Sequence, residues 1–475
     1  MATELRRAGK SVRRALYEAA GGNPLALNWA LGLVAQKGYT LAEALTRLQD
    51  ASRSDDLYAF LFAYSARDLA PSDRTVLSAL PAFQTPVTAP TLANATGLAP
   101  NEIGIALERL VTLSLVTDLE GGRYGLHPLT RTCIRAAIGE TGETTRVSLG
   151  EPTVDPAAYR KALRYWVEYA QKYGGDSKDA YQTFDRLEAE WLNLEASAAA
   201  LRDMAGVPGT LKDKEAALML NDLADALRFF LQFRGYWDER VLLSEWAYEV
   251  AKALGNWSMA GWRAYNVAWI HYHRAETDRA ATWANRVTEA MERSDSRRGR
   301  AYAARMRGMI AEQRNNLVEA KGLYTEALMI FYDLGEEDDQ GRVLNDLGRI
   351  VRKCKDYDRA EESFQQALTL AEKQDNKVEQ AVYSGSLGEL ALDRGHSAEA
   401  RHWYELELAL AKEVGRQHLI AEAQAGLARV LEEEGCLSEG LPLAEQALTI
   451  REQLRDKDLG WTRQLVTRLR EKVRK

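Results

Sequence analysis

The chain has 475 residues, of which 46% are hydrophobic and 28% are charged, and its formal net charge is −7. At about 100–200 residues per domain this is a globular protein of several domains, and the composition excludes a disordered or fibrous chain. The acidic balance argues against binding of nucleic acid or of a membrane surface through overall charge.

The cysteines, the longest apolar stretch and the prolines further limit the class of protein that this chain can be. The three widely spaced cysteines, Cys133, Cys354 and Cys436, cannot form a disulfide framework or a four-ligand zinc site, so a cytoplasmic setting is expected. The longest apolar stretch, about 26–35, is half of what a membrane-spanning helix needs. With only 11 prolines, the chain is predicted to be almost wholly helical.

The first 55 residues are predicted to be helical and contain the segment Gly21-Gly22-Asn23-Pro24-Leu25-Ala26-Leu27. Proline is favoured at the first position of a helix, so one interpretation is that Pro24 simply starts a helix. A second interpretation depends on a family resemblance and follows below.

Residues 56–140 predict helices followed by a β-hairpin. Helices are expected at about 57–69, from Pro71 to Leu80, at about 89–95 and at about 100–113, with a last one beginning near Leu129. A turn at Gly121-Gly122 between two short β-rich segments indicates the hairpin. Three helices followed by a hairpin is the layout of a winged-helix domain.

The charge of this predicted domain argues against DNA binding. Acidic residues outnumber basic ones on the candidate recognition helix and hairpin: Glu102, Glu108, Asp118 and Glu120 stand against Arg109 and Arg123. A DNA-reading surface needs lysine and arginine to meet phosphates and bases. A structural or partner-binding role is therefore favoured. Residues 141–156, poor in apolar side chains, are predicted to be a linker, and 157–216 a helical connector.

From residue 217 to residue 459 the sequence repeats every forty residues. Small residues recur in two columns and aromatic residues in a third: Ala268, Gly308, Gly348, Gly388 and Ala428; Ala280, Ala320, Ala360, Ala400 and Gly440; Tyr324, Phe364 and Tyr404. Each unit is predicted to form two amphipathic helices, with the aromatic residue filling the gap between neighbouring hairpins.

This pattern resembles the tetratricopeptide repeat, in a form with lengthened helices. The prediction is an all-α fold with a small β-hairpin wing, in which a winged-helix domain precedes a right-handed tetratricopeptide-repeat superhelix. About six repeats are expected, followed by a capping helix at 460–475.

The resemblance implies that the first helix of each unit lines a concave groove in which partners dock. Ten groove residues are predicted: Trp262, Tyr265, Trp269, Tyr272, Arg305, Arg342, Asn345, Arg349, Arg352 and Glu389. The arginines have the chemistry to bind carboxylate or phosphate, and the aromatic residues to hold an apolar side chain or a cation. The alternative is a face whose charges pair with neighbouring repeats, with Trp269 and Tyr272 packed between helices.

The order of these parts resembles the C-terminal part of a STAND signal-transduction ATPase of the NB-ARC type. The segment around Pro24 looks like the motif that closes the nucleotide pocket in that family. His127 falls where the family places its winged-helix histidine, although the acidic residue usual after it is Pro128 here. The resemblance implies that Pro24 and His127 contact ADP in the resting state, and that an inducer (peptide, protein or small molecule) binds the groove. A satisfied histidine at a strand end is the alternative for His127.

No phosphate-binding loop accompanies these parts, because the near match Gly9-Lys10-Ser11 has Glu4 where the earlier glycine is required. The chain is therefore expected to be a non-enzymatic portion of a larger regulator. Its expected partners are an ATPase core with ADP or ATP, sister protomers and the inducer, with no membrane and DNA disfavoured. No metal site is predicted, since His271 and His273 point to different sides of a helix, and the remaining histidines of the repeats occupy dissimilar positions. A DNA-binding regulator and a constitutive scaffold are the alternatives.

Overall fold

The computed structural model describes residues 10–20, 26–28, 31, 40–51, 62, 65–66, 68–138, 154–175 and 179–474. The chain divides into two compact units. The first comprises Met1–Tyr169 and Glu190–Met204, and the second comprises Ala170–Ala189 and Ala205–Lys475. Pro24, most of the helix expected at 57–69 and most of the linker at 141–156 lie outside the described residues.

The first unit contains the predicted helices and hairpin. Helix α1 (Lys10–Ala19) packs against α2 (Leu41–Ala51). The elements that follow are α3 (Pro71–Ala79), β1 (Val87–Thr88), α4 (Ala89–Thr96), α5 (Pro100–Thr112), β2 (Thr117–Leu119), β3 (Arg123–Gly125) and α6 (Pro128–Ile138). The elements from α3 to α6 lie where the sequence predicts them, apart from β1, which it does not predict.

Strand β1 enlarges the hairpin into a three-stranded sheet of order β1-β3-β2, in which both pairs are antiparallel. Helix α4 starts directly after it, and the Thr88 hydroxyl caps this helix by accepting the N–H of Thr91. Glu102 caps the start of α5 by accepting the N–H of Ala99 at 2.9 Å. These caps explain why two short helices form on either side of Gly97, whose φ is +73°.

The predicted connector folds as α7 (Pro156–Tyr173), α8 (Phe184–Ala189) and α9 (Trp191–Ala205). Within the first unit, the indole N–H of Trp166 donates to the carbonyl oxygen of Ala82 at 2.9 Å. The side chain of Asn193 accepts the N–H of Gln84 at 2.6 Å and donates to the Thr85 hydroxyl at 3.0 Å. The connector, expected as one segment, is therefore divided between the two units.

The second unit is dominated by six helical hairpins between residues 214 and 454. Their helices are α10 (Lys214–Arg234), α11 (Trp237–Ala253), α12 (Trp257–His273), α13 (Thr277–Arg293), α14 (Arg297–Gln313), α15 (Leu317–Leu334), α16 (Glu337–Lys353), α17 (Tyr357–Lys373), α18 (Lys377–Asp393), α19 (Ser397–Val414), α20 (Gln417–Glu433) and α21 (Leu437–Leu454). From α12 onward, the first helices begin forty residues apart, so the forty-residue period is confirmed. Helix α22 (Leu459–Val473) follows and buries Leu465, Val466 and Leu469.

The predicted columns of small and aromatic residues meet mainly within each hairpin. A Cβ atom added to Gly348 would lie 2.5 Å from Cε1 of Phe364, which belongs to the same hairpin. Tyr404 lies against Gly388 of its own hairpin and against Gly426 of the next. The aromatic residue therefore fills space inside its hairpin as well as the gap between hairpins, which corrects the narrower expectation.

The two ends of the array meet. Arg455, in the turn after α21, forms an ion pair with Asp238 at the start of α11. Arg274 donates through Nε to the carbonyl oxygen of Leu454 at 3.0 Å, and the N–H of Lys457 donates to the carbonyl oxygen of His273 at 2.8 Å. We call the contact among these five residues and His273 the closure. It joins the sixth hairpin to the first two, and sequence periodicity did not predict it.

Candidate functional site

Three aromatic residues on α12 and α14 form an edge-to-face cluster. The ring centroid of Tyr302 lies 4.8 Å from that of Trp262 and 5.2 Å from that of Tyr265. The Tyr302 hydroxyl donates to Oδ1 of Asp339 at 2.5 Å, and the Tyr265 hydroxyl accepts from Arg305 at 3.3 Å. Trp262, Tyr265 and Arg305, all predicted groove residues, thus lie in one contact network.

The arginines predicted to line the groove all pair with carboxylates on a neighbouring first helix. The shortest N···O distances of these cross-repeat ion pairs are 2.5 Å for Arg305–Asp346, 2.8 Å for Arg342–Glu379, 3.0 Å for Arg349–Glu312, 2.9 Å for Arg352–Glu389 and 2.8 Å for Arg352–Asp393. Glu389, itself a predicted groove residue, is one of these partners, because it pairs with Arg352. Pairing with neighbouring repeats, the alternative from the sequence, describes these residues.

Burial and pairing act in opposite directions on these carboxylates. Burial by itself raises the pKa of Glu312, but Arg349 and Lys353 outweigh it and hold the pKa at about 2. Burial also raises the pKa of Asp339 and Glu379. The charge of Arg342 outweighs this effect, so the pKa of both carboxyl groups is lowered. Glu312, Asp339 and Glu379 are therefore ionised at neutral pH.

The acidic partners Asp339, Asp346 and Glu379 were not among the residues predicted from the sequence. Arginine and acid are separated by 41 residues in Arg305–Asp346 and by 37 in Arg342–Glu379 and Arg349–Glu312. In a forty-residue register these separations place the acid on the adjacent first helix. Asp346 lies one position after the residue equivalent to its arginine, Glu379 three positions before it and Glu312 three positions after it. An arginine with an acid at either separation is thus the sequence signal for such pairs.

Several polar atoms in the array are buried without a hydrogen-bond partner among the described residues. They include Oδ1 of Asn345, both carboxyl oxygens of Glu407 and Nε of Arg416. Glu407 stands where the other repeats have Ala or Val, and a Cβ atom added to the neighbouring Gly385 would lie 2.7 Å from its oxygens. Burial, together with Glu422, raises the pKa of Glu407 well above its ordinary value.

Trp269 and Tyr272 pack beside the closure. The ring centroid of Trp269 lies 5.7 Å from that of Trp237 and 3.9 Å from that of His273. Nζ of Lys457 lies 5.0 Å from the ring centroid of Tyr272. Both aromatic side chains are buried, so packing between helices describes them.

His273, His418 and Asp456 also come together there, with one ligand atom of each within 4.8 Å of the others. Burial, with the charges of His418 and Lys457, lowers the pKa of His273 well below 6.5. The sequence analysis compared each histidine with others in its own vicinity or register. It missed this cluster because the closure, and not the repeat, brings the three residues together.

His127 lies at the end of the sheet in the first unit and is exposed. Its Nδ1 accepts the N–H of Leu129 at 3.2 Å, which leaves Nε2 as the donor of the neutral ring. On the candidate recognition helix α5, the side chain of Arg109 lies 3.6 Å from Asp73.

Among the described residues, no helix is long and apolar enough to cross a membrane.

Comparison with known proteins supports the repeat class. Residues 339–413, the fourth and fifth hairpins, match the family model of the tetratricopeptide repeat. The six hairpins thus form a helical repeat array like those of tetratricopeptide proteins. A search among curated proteins finds no match.

Three solved structures with similar folds are as follows. BtubC (BKLC) from P. vanneervenii is 17% identical, with 46% of this chain and 91% of that chain covered and a TM-score of 0.36. A STAND protein with a tetratricopeptide repeat sensor from Pyrococcus horikoshii is 14% identical, with 94% and 73% covered and a TM-score of 0.36. The apo form of RapI is 16% identical, with 58% and 98% covered and a TM-score of 0.43.

Proposed function

We propose that the repeat array is a sensor that binds an inducer in the groove, and that the inducer is an extended peptide segment. The observation that carries this proposal is that Oδ1 of Asn345 and Nε of Arg416 are buried without a hydrogen-bond partner among the described residues. Buried polar groups are nearly always hydrogen-bonded, and a peptide backbone offers both donors and acceptors to satisfy a mixed set of this kind.

The cross-repeat ion pairs explain how binding in the groove is transmitted. Each pair joins two successive first helices, so a ligand that inserts beside Arg342 or Arg349 competes with a contact that sets the spacing of repeats. A ligand that favours one spacing shifts the array toward it by its differential affinity. Arg342 and Arg349 thus link neighbouring repeats and also contact the inducer.

A direct test selects short random peptides on the chain and compares variants of the array. Asn345→Ala is expected to bind the selected peptides about tenfold more weakly, because one buried hydrogen bond is lost. Gln365→Ala, which changes an exposed residue of α17, serves as the matched control and should bind as the unchanged chain does. Failure to select any peptide, or equal affinity for Asn345→Ala, would show that the groove is not the binding site.

The second part of the proposal concerns the first unit. Its helices and sheet follow the winged-helix layout, and they precede the array in the order of STAND ATPases. An exposed His127 whose Nε2 is free to donate suits a contact with the β-phosphate of ADP held by an ATPase core. We therefore propose that this unit helps to hold the ADP-bound resting state. Pro24, the other residue expected near ADP, lies outside the described residues.

The test for this part uses a protein in which an ATPase core precedes the chain. His127→Ala is expected to release a fluorescent ADP analogue about tenfold faster in the absence of peptide, because a hydrogen bond to the phosphate is lost. The exposed His402→Ala should leave release unchanged. Equal release from His127→Ala and the unchanged protein would remove His127 from the nucleotide site.

A further inference from the structure

We infer that His273, His418 and Asp456 form a binding site for a transition-metal ion of the zinc class at the closure of the array. One ligand atom of each residue lies within 4.8 Å of the others. The three come from the end of α12, the start of α20 and the turn after α21. A metal held by them would join the second hairpin to the sixth. This inference is independent of the inducer.

The atoms at this site lack other partners. Nδ1 of His273, Nδ1 of His418 and Oδ2 of Asp456 are all buried and have no hydrogen-bond partner among the described residues. Nδ1 of His418 lies 3.1 Å from Oδ2 of Asp456, at ion-pair distance, so a proton on His418 and a metal ion would compete for the same place. Nδ1 of His273 has no partner of either kind among the described residues, and a metal ion shared by the three side chains would satisfy it, since buried polar groups are otherwise paired.

Surrounding contacts orient the ligands. The N–H of Asp458 donates to Oδ1 of Asp456 at 2.8 Å, which leaves Oδ2 toward the histidines. Oε2 of Glu422 lies 3.8 Å from Nε2 of His418, whereas Asp456 lies beside the other ring nitrogen, Nδ1. A carboxylate near the second nitrogen of a metal-binding histidine is a common outer-shell feature, because it fixes the orientation of the ring.

Aromatic rings restrict the two imidazoles. The centroid of Trp237 lies 6.0 Å from that of His273 and 5.6 Å from that of His418. The indole ring of Trp269 lies against His273 on another side, at 3.9 Å between centroids. These contacts hold the two imidazoles at 4.8 Å between centroids. A shift of about 1 Å brings such atoms to the separation that metal–ligand bonds of ~2.0–2.2 Å require.

The donor set selects the type of metal. Two imidazole nitrogens and one carboxylate oxygen suit Zn²⁺ and neighbouring transition metals, whereas Mg²⁺ and Ca²⁺ prefer oxygen ligands alone. Three protein ligands leave a fourth position for water or for an anion.

The experiment titrates the metal-free chain, prepared with a chelator, with CoCl₂ and ZnCl₂. We expect one equivalent of Co²⁺ to give the visible absorption of a tetrahedral site, and Zn²⁺ to displace it and raise the thermal midpoint. Asp456→Asn and His418→Gln are each expected to weaken binding at least ~10-fold. His402→Gln, which changes an exposed histidine of α19, is the matched control and should keep full binding.

Circular dichroism confirms that each variant is folded before titration. Should both ligand variants fail to fold, the titration of the unchanged chain still decides, because a chain that binds no stoichiometric Co²⁺ overturns the site. Undiminished binding in folded Asp456→Asn and His418→Gln, or an equal loss in His402→Gln, also overturns it. Stoichiometric binding that is lost only with the ligand residues supports it.

Discussion

Replacing Glu312 by glutamine is expected to lower the free energy of unfolding of the array by about 3 kcal/mol at neutral pH. Glutamine keeps the size of the side chain but removes the charge that Arg349 and Lys353 face at 3.0 and 2.9 Å. The change from an ordinary pKa of 4.5 to about 2 measures how strongly the folded array favours the ionised carboxylate. Only 4% of this side chain is exposed, so solvent screens the pairs little.

The same group makes the stability of the array depend on acid. Because its pKa in the folded state lies below the unfolded value of 4.5, its contribution is fully present above pH 4.5 and is lost as the pH falls to about 2. Denaturant unfolding followed by circular dichroism, at neutral pH and again below pH 4.5, measures both effects. Glu326→Gln, an exposed residue on α15, is the control and should change neither. Equal midpoints for Glu312→Gln and the unchanged chain would contradict the assigned role of this carboxylate.

Glutamine at position 407 is expected to have the opposite effect and to stabilise the array at neutral pH. Glu407 is fully buried and its carboxyl oxygens have no hydrogen-bond partner among the described residues. Its pKa is raised by burial, so the folded array prefers the protonated carboxyl while the unfolded chain ionises near pH 4.5. Glutamine is neutral in both states and fits the same space beside Gly385.

The pH dependence separates this prediction from a simple change in packing. The contribution of Glu407 to the stability is fully present below pH 4.5 and decreases as the pH rises toward the pKa of the folded group, by about 1.4 kcal/mol per pH unit. The advantage of Glu407→Gln should therefore vanish below pH 4.5 and grow above it. Glu372→Gln, an exposed residue on α17, is the control. An advantage that does not vary with pH would contradict the titration of Glu407.

Sequence periodicity predicts the parts of the fold that neighbouring helices determine. A glycine in one helix and a ring in the next, such as Gly348 and Phe364, recur every forty residues because each hairpin must pack in the same way. The same register contains Arg305 and Asp346, although the sequence analysis considered only the arginine. Glu407 and Gly385 are two complementary departures from their columns, and a comparison of columns would have found both.

Other features depend on contacts that no repeat contains. His273 and His418 meet only because the array turns far enough for its ends to touch, and that turn is the sum of small angles between hairpins. Strand β1 has only two residues, Val87 and Thr88, and it forms because Tyr124 and Arg123 lie beside it. A segment this short carries no alternation from which a strand is predicted.

The contact between Asp238 and Arg455 constrains how this gene can change in length. The cross-repeat ion pairs depend on adjacent hairpins alone, so an extra forty-residue unit added by duplication would keep every one of them. The added unit would nevertheless carry Arg455 past Asp238 and separate His418 from His273. One hairpin can therefore replace another without loss of these ion pairs, but the contact between the two ends forms only when the array has six hairpins.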